Sequence, residues 1–345
     1  MNNRIVYALP VLLAIFLLGA EQPKIPPLPN AVTSNAVAAL RGGIEIYSLM
    51  GIGAKKTWDD VSNKMYILPL KSGKWSEGRP VPGVAGRLGA SAVGVRGQVF
   101  VFGGYVIDGE GNELTVSDVN SYVPEAHRWY RAADLPVPVD NAVIGVVHDR
   151  FIYVIGGRSK AGPVSNVQVY DAEKNTWSQA TAFPGAPVFG HAGGIADETI
   201  VYVDGAKKDP VSGHYIASDE CWMGKIDHKD PNKIEWSKLP MHPGPGRFGI
   251  VASGAEHEHR ILFSGGTVGP HNFKGLGDDG KPVELSPVTF AFELHGNQWE
   301  TITEDTYDVR ADEHGIVFTP LGPLIVGGTL KNSAISARVL ALPKR

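Results

Sequence analysis

The chain has 345 residues, 43% of them hydrophobic, and a formal net charge of −4. That is enough apolar material for a large core. The charges are scattered, with no basic block and no basic stretch interleaved with aromatics, which excludes nucleic acid as a partner. Cys221 is the sole cysteine, so no intramolecular disulfide can form and stability rests on packing.

The N-terminus is unlike the rest. Arg4 precedes an apolar run from Val6 to Leu18, then Gly19-Ala20 and a Pro-rich stretch. A basic start, a short apolar segment and small residues at the cut predict a signal peptide over residues 1–20. The mature chain, 21–345, is then one exported domain, periplasmic or secreted, with no membrane span after cleavage. An uncleaved N-terminal anchor is the alternative.

From there the sequence restates one motif. A worn copy, Gly43-Ile-Glu-Ile-Tyr-Ser-Leu-Met-Gly51, comes first. Gln98-Val-Phe-Val-Phe-Gly-Gly-Tyr105 and Phe151-Ile-Tyr-Val-Ile-Gly-Gly-Arg158 follow. Later copies are Thr199-Ile-Val-Tyr-Val-Asp-Gly205, Arg260-Ile-Leu-Phe-Ser-Gly-Gly266 and Gly322-Pro-Leu-Ile-Val-Gly-Gly328. Each is a β-branched and aromatic run, the composition of a buried strand, ended by glycine. A small-residue strand precedes each copy and a third strand follows a variable loop. A fourth strand opens on Trp75, Trp129, Trp177, Trp236 or Trp299. A period of roughly fifty to sixty residues with four strands per unit predicts a propeller of six blades. The sixth unit lacks a Trp and a fourth strand. Ile25-Pro-Pro-Leu-Pro29 matches the segments that close earlier blades, so residues about 22–30 are expected to complete the last one and close the ring.

These repeats resemble the kelch family over essentially the whole mature length, which implies an all-β, six-bladed kelch β-propeller closed by its N-terminal strand. Blade lengths, the Pro-rich start and the insertion Thr267-Val-Gly-Pro-His-Asn-Phe-Lys-Gly-Leu-Gly277 most resemble the bacterial N-acetylneuraminate epimerases, exported sialic acid mutarotases. That resemblance implies an anionic sugar as ligand and a cofactor-independent isomerase. It breaks at blade four. The family's apparent catalytic Glu and Arg fall on Ala206 and Ser212 here, and the family's long blade-three insertion is replaced by Ser159-Lys-Ala-Gly-Pro-Val164.

In such a propeller the residues opening the innermost strands converge on a central mouth. Counting back from the glycines places Asn35, Arg87 and Asp140 there, with His191, Arg247 and His271 nearby as ligand-binding candidates. The loop face is expected to be cationic, and guanidinium groups clamp carboxylates. Glu313 and His314 are the acid and base a mutarotase would need. No cofactor or metal is called for. Glu256-His-Glu-His259 sits in a turn between antiparallel strands and reads as solvated. Cys221-Trp222 is a poor match to a copper-radical site. The expected partner is a small anionic carbohydrate. The alternative is a non-catalytic propeller binding a protein or glycan through its loop face. A monomer is expected in either case.

Overall fold

The computed structural model describes residues 25–255, 259–303 and 315–343. The predicted signal peptide therefore lies outside the described residues, and among those described no helix is long and apolar enough to cross a membrane. The architecture is all-β. Five four-stranded antiparallel sheets and one three-stranded sheet follow one another along the chain. In the first, Ala36–Leu40, Glu45–Leu49, Met65–Pro69 and Ser76–Glu77 pair in sequence order. The last comprises Val317–Thr319, Gly322–Val326 and Val339–Ala341.

Neither face of such a sheet can be left in water, and each is covered by the neighbouring blade. Blade one packs on blade two through Tyr47, Leu49, Met65, Val99, Val101 and Tyr122. Corresponding apolar clusters fill every later boundary. The seam between the last and first blades is made by Val317, Leu324 and Val326 against Val37, Ile46 and Leu68. The ring is closed.

The tryptophans serve two ends. Their rings pack between blades, and each indole N–H donates to a carbonyl that ends the preceding blade. Trp129 reaches Arg79, Trp177 Ala133 and Trp299 Pro240, each at 2.9 Å, while Trp236 reaches Thr181 at 3.1 Å. Trp75 donates to Pro26 at 2.9 Å, which gives the N-terminal segment the same place relative to blade one. Two residues beyond each acceptor a side chain plugs the boundary: Leu28, Val81, Leu135, Phe183 and, in the fifth case, His242, all buried.

The N-terminal segment thus completes the sixth blade, though not as a strand. Leu28 N–H donates to Ala337 O at 2.7 Å and Val32 N–H to Ser336 O at 3.1 Å. Pro26, Pro27 and Pro29 have no N–H to extend the ladder, so the segment stays extended and sparsely bonded.

At the hub the inner strands are small: Ala38, Ala39, Ala92, Gly94, Gly145, Gly193 and Gly254 line a central cavity of about 290 Å³. At one rim the chain enters the inner strands of blades one to five through a left-handed residue. These are Ser34, Gly89, Asn141, Gly190 and Gly249, with φ between 50° and 62°. Asn141 N–H donates to Gly89 O, Gly190 N–H to Asn141 O and Gly249 N–H to Gly190 O, at 2.8–2.9 Å, forming a backbone collar across four blades.

Candidate functional site

Above this collar lie the loops that follow the glycine pairs, and the longest reaches over the hub. The blade-five insertion, residues 267–286, packs Phe273 against Ile52, Leu88, Tyr105 and Ile107 of blades one and two. Lys56 Nζ donates to Lys274 O at 3.1 Å, and His214 of blade four meets Asp278 at 3.2 Å. The insertion is a strap across the mouth. Between it and blades two to four remains a cleft of about 210 Å³, bordered by Tyr105, Arg158, Phe189, Phe248, His271 and Glu113.

Arg158 is the cation of this cleft, and its charge is already answered. Its guanidinium lies 5.1 Å from the Tyr105 ring centre and 5.4 Å from that of Phe189. It pairs with Glu113 at 2.6 Å and with buried Asp140 at 3.2 Å. Burial alone would lower its pKa, but Asp140 and Glu113 outweigh burial and raise it. Burial pushes the Asp140 carboxyl up, against the pull of Arg158, Asn141 and Thr115. Asp140 thereby spends its oxygens on Thr115 Oγ1, Asn141 Nδ2 and Arg158, which ties the blade-two loop to blade three.

The other sequence candidates do not gather in the cleft. Arg87 is buried, with Nη1 donating to Gly103 O at 2.9 Å and Asp118 O at 3.0 Å, and Nη2 donating to Asn120 Oδ1 at 3.3 Å. Arg247 repeats the pattern three blades on, donating to Gly265 O and Ser286 Oγ, both at 2.9 Å. Both guanidiniums hold the first glycine's carbonyl inside their own blade. Asn35 is buried and bonds Ser48 Oγ and Val326 O, joining blades one and six. His191 is buried beside the hub cavity against Phe183 and Tyr202, and neither ring nitrogen has a hydrogen-bond partner. His271 alone stands with Asp140's partner Arg158 at the cleft, its ring edge-on to Phe248 at 5.2 Å. Glu313 and His314 lie outside the described residues.

Counting back from the glycines misaligned these positions for a local reason. The hairpin joining inner to second strand has four residues in blade one, two in blade two and three in blade three. The residue equivalent to Arg87 is therefore Val32 or Val139, not Asn35 or Asp140.

Blade four departs from the repeat. Asp204 replaces the first glycine, at φ 62°, a region short polar side chains tolerate. Its Oδ2 accepts Arg247 N–H at 2.9 Å and faces His242 Nε2 at 2.8 Å. His242 stacks on Phe290 and turns Nδ1 to Pro243 O. Cys221 completes this buried group; burial pushes its thiol up to about 12, so it is an inert packing residue. Ala206, where the resemblance placed an acid, is fully buried and bridged to Phe189. Ser212 lies in a tight turn, bonded to Asp209.

Two features escaped the sequence reading. One is the rim of exposed apolar side chains on these loops: Trp58, Leu114, Val211, Ile216 and Val268. The other, at the far end of the inner strands, is a cluster of His148, Glu198 and His228. Its members are too distant in sequence for any spacing pattern to join them.

Six glycine-ended blades, stitched by indoles and closed by the N-terminal segment, define a kelch-type propeller. Residues 37–266 match the KLHDC2/KLHL20/DRC7 Kelch-repeats domain, and the chain belongs to that family. Over 122 residues, 35% of this chain, it is 32% identical to Kelch-like protein 35 of Mus musculus, and the match spans 18% of that protein's length. The solved structure of YjhT superimposes with a TM-score of 0.72 at 20% identity, covering 91% of this chain and 95% of that one. At that identity the likeness is one of fold.

Proposed function

We propose that this propeller is a non-catalytic recognition module that binds a protein segment across its loop face. The carrying observation is the apolar rim. Trp58, Leu114, Val211, Ile216 and Val268 are 54%, 55%, 93%, 42% and 50% exposed, and all five sit in loops between the second and third strands of blades one, two, four and five. Exposed apolar side chains carried on the loops of one face are what a protein segment would cover on binding. The alternative, a carboxylated sugar at the hub, finds less support. Arg87 and Arg247 face inward, Arg158 is already neutralised, and the strap crosses the mouth.

The test is selection of peptides from a displayed random library on the immobilised mature chain. Binders are expected, with Leu114→Ser/Ile216→Ser weakening them at least about tenfold and Arg87→Met leaving them unchanged. Binders indifferent to the double substitution would place the site elsewhere. Acceleration of N-acetylneuraminate anomer exchange over buffer, followed by NMR, would overturn the non-catalytic reading.

A further inference from the structure

On the face opposite the strap, we infer a divalent transition-metal site made by His148, Glu198 and His228, with zinc as its natural probe. His148 lies in the hairpin between the inner and second strands of blade three, Val143–Val147 and Phe151–Ile155. Glu198 is in the corresponding hairpin of blade four, and His228 is in that blade's loop between Cys221–Ile226 and Ile234–Lys238. His148 Nε2 is 2.8 Å and His228 Nδ1 2.7 Å from the same oxygen, Glu198 Oε1. The two rings stand nearly perpendicular, centroids 5.4 Å apart. All three donor atoms lie within 4.8 Å of one another. Two imidazoles and a carboxylate are a donor set that suits zinc, with a fourth position left for water. The three ligands border a cavity of about 260 Å³ that they share with Val146, Val147, Ile195, Ala196 and the carboxylate of Asp197.

The ligands are held before any metal arrives. His148 and Glu198 have left-handed backbones, φ 57° and 59°, which fix the two hairpin tips. Asp149 Oδ1 accepts Arg96 N–H at 2.7 Å, and Glu198 O accepts Ile226 N–H at 2.9 Å. Asp227 caps the His228 loop by accepting the N–H groups of Lys229 and Asp230. Among the described residues the two histidines are the ion-pair partners of Glu198. Each must donate N–H to Oε1 while the site is empty. Metal entry requires each of these two nitrogens to give up its hydrogen, freeing a lone pair where three donors already converge. The bound ion would clamp blade three to blade four, and nothing in this inference depends on what the loop face binds.

The experiment uses the full mature chain stripped with chelator and titrated with zinc chloride by calorimetry. One zinc per chain is expected, with a zinc-dependent rise in unfolding temperature. His148→Ala and His228→Ala should each weaken binding beyond the roughly 10–100-fold that outer-shell partners carry, and Glu198→Gln should abolish the rise. His259→Ala, which removes a neighbouring imidazole paired with Asp197, should leave both readouts unchanged. No saturable binding by the wild type, or loss in His259→Ala with retention in His148→Ala and His228→Ala, would overturn the assignment.

Discussion

His191 illustrates how a single side chain can tie this fold to pH. It stands where blades one, two, three and five carry Asn35, Ala90, Ala142 and Ile250, and it is boxed in by Phe183, Tyr202 and the backbone of Gly156 and Gly205. Burial lowers its pKa to about 3 from an ordinary value of 6.5. The unfolded chain therefore binds one more proton than the native chain between those values. Stability is full above about pH 6.5 and falls as the pH drops toward 3. Replacing His191 with leucine, close in size and without charge, removes that linkage. The stability gap between variant and wild type should shift in favour of the variant by about 1.4 kcal/mol per pH unit through this window, measured by urea unfolding. Parallel pH profiles would refute it. Arg87 and Arg247 make the complementary point. A buried guanidinium that satisfies carbonyl oxygens is part of the framework, and its charge is unavailable to a ligand.

At the scale of elements, the collar shows why glycine recurs at the start of inner strands as well as after second strands. Gly190 has φ 58°, and a Cβ there would fall 2.1 Å from Cε2 of Phe248. Gly42 has a similar φ of 67° but open space around it. Gly42→Ala should cost only the backbone strain of about 1–2 kcal/mol. Gly190→Ala should cost about 2–4 kcal/mol, because strain and clash add. Equal shifts in denaturant midpoint would mean that Phe248 moves aside freely and does not seal the collar. Strands of this kind were legible in the sequence because buried β-branched runs, their glycine stops and the spaced tryptophans are local signals. The positions facing the mouth were not. They depend on hairpin length, and a one-residue difference between blades two and three was enough to put Asp140 in the place of Val139. The inward turn of Arg87 and Arg247 was equally hidden, since an arginine looks the same in sequence whether it meets a carbonyl or a ligand. The strap could be seen as an insertion, but its path to Ile52 and Leu88 is a tertiary fact. So is the meeting of His148 with His228.

The whole molecule is a ring in which the last described strand, Val339–Ala341, and the N-terminal segment beside it are not joined by a peptide bond. Five boundaries join blades that follow each other directly along the chain. The sixth is held by packing of Val317, Leu324 and Val326 on Val37, Ile46 and Leu68, and by residues 25–32 lying beside the last blade. Leu28 and Leu135 occupy the same place in the repeat and are each 3% exposed. By local packing alone, Leu28→Ala and Leu135→Ala should be equivalent, each costing about 2–4 kcal/mol. Closure makes them different. Around Leu135 the chain itself keeps blades two and three together. Around Leu28, lost packing loosens the contact that brings the N-terminal segment back, and the prolines supply no ladder to compensate. Opening there would bare an apolar face on both the first and last blades. Hydrogen exchange followed by mass spectrometry should therefore show Leu28→Ala releasing Gly322–Val326 and Val339–Ala341 well before global unfolding. Leu135→Ala should leave those strands as protected as in the wild type. If both variants expose the sixth blade equally, or neither does, the seam is no weaker than any other boundary, and closure by the N-terminal segment is not what holds the ring.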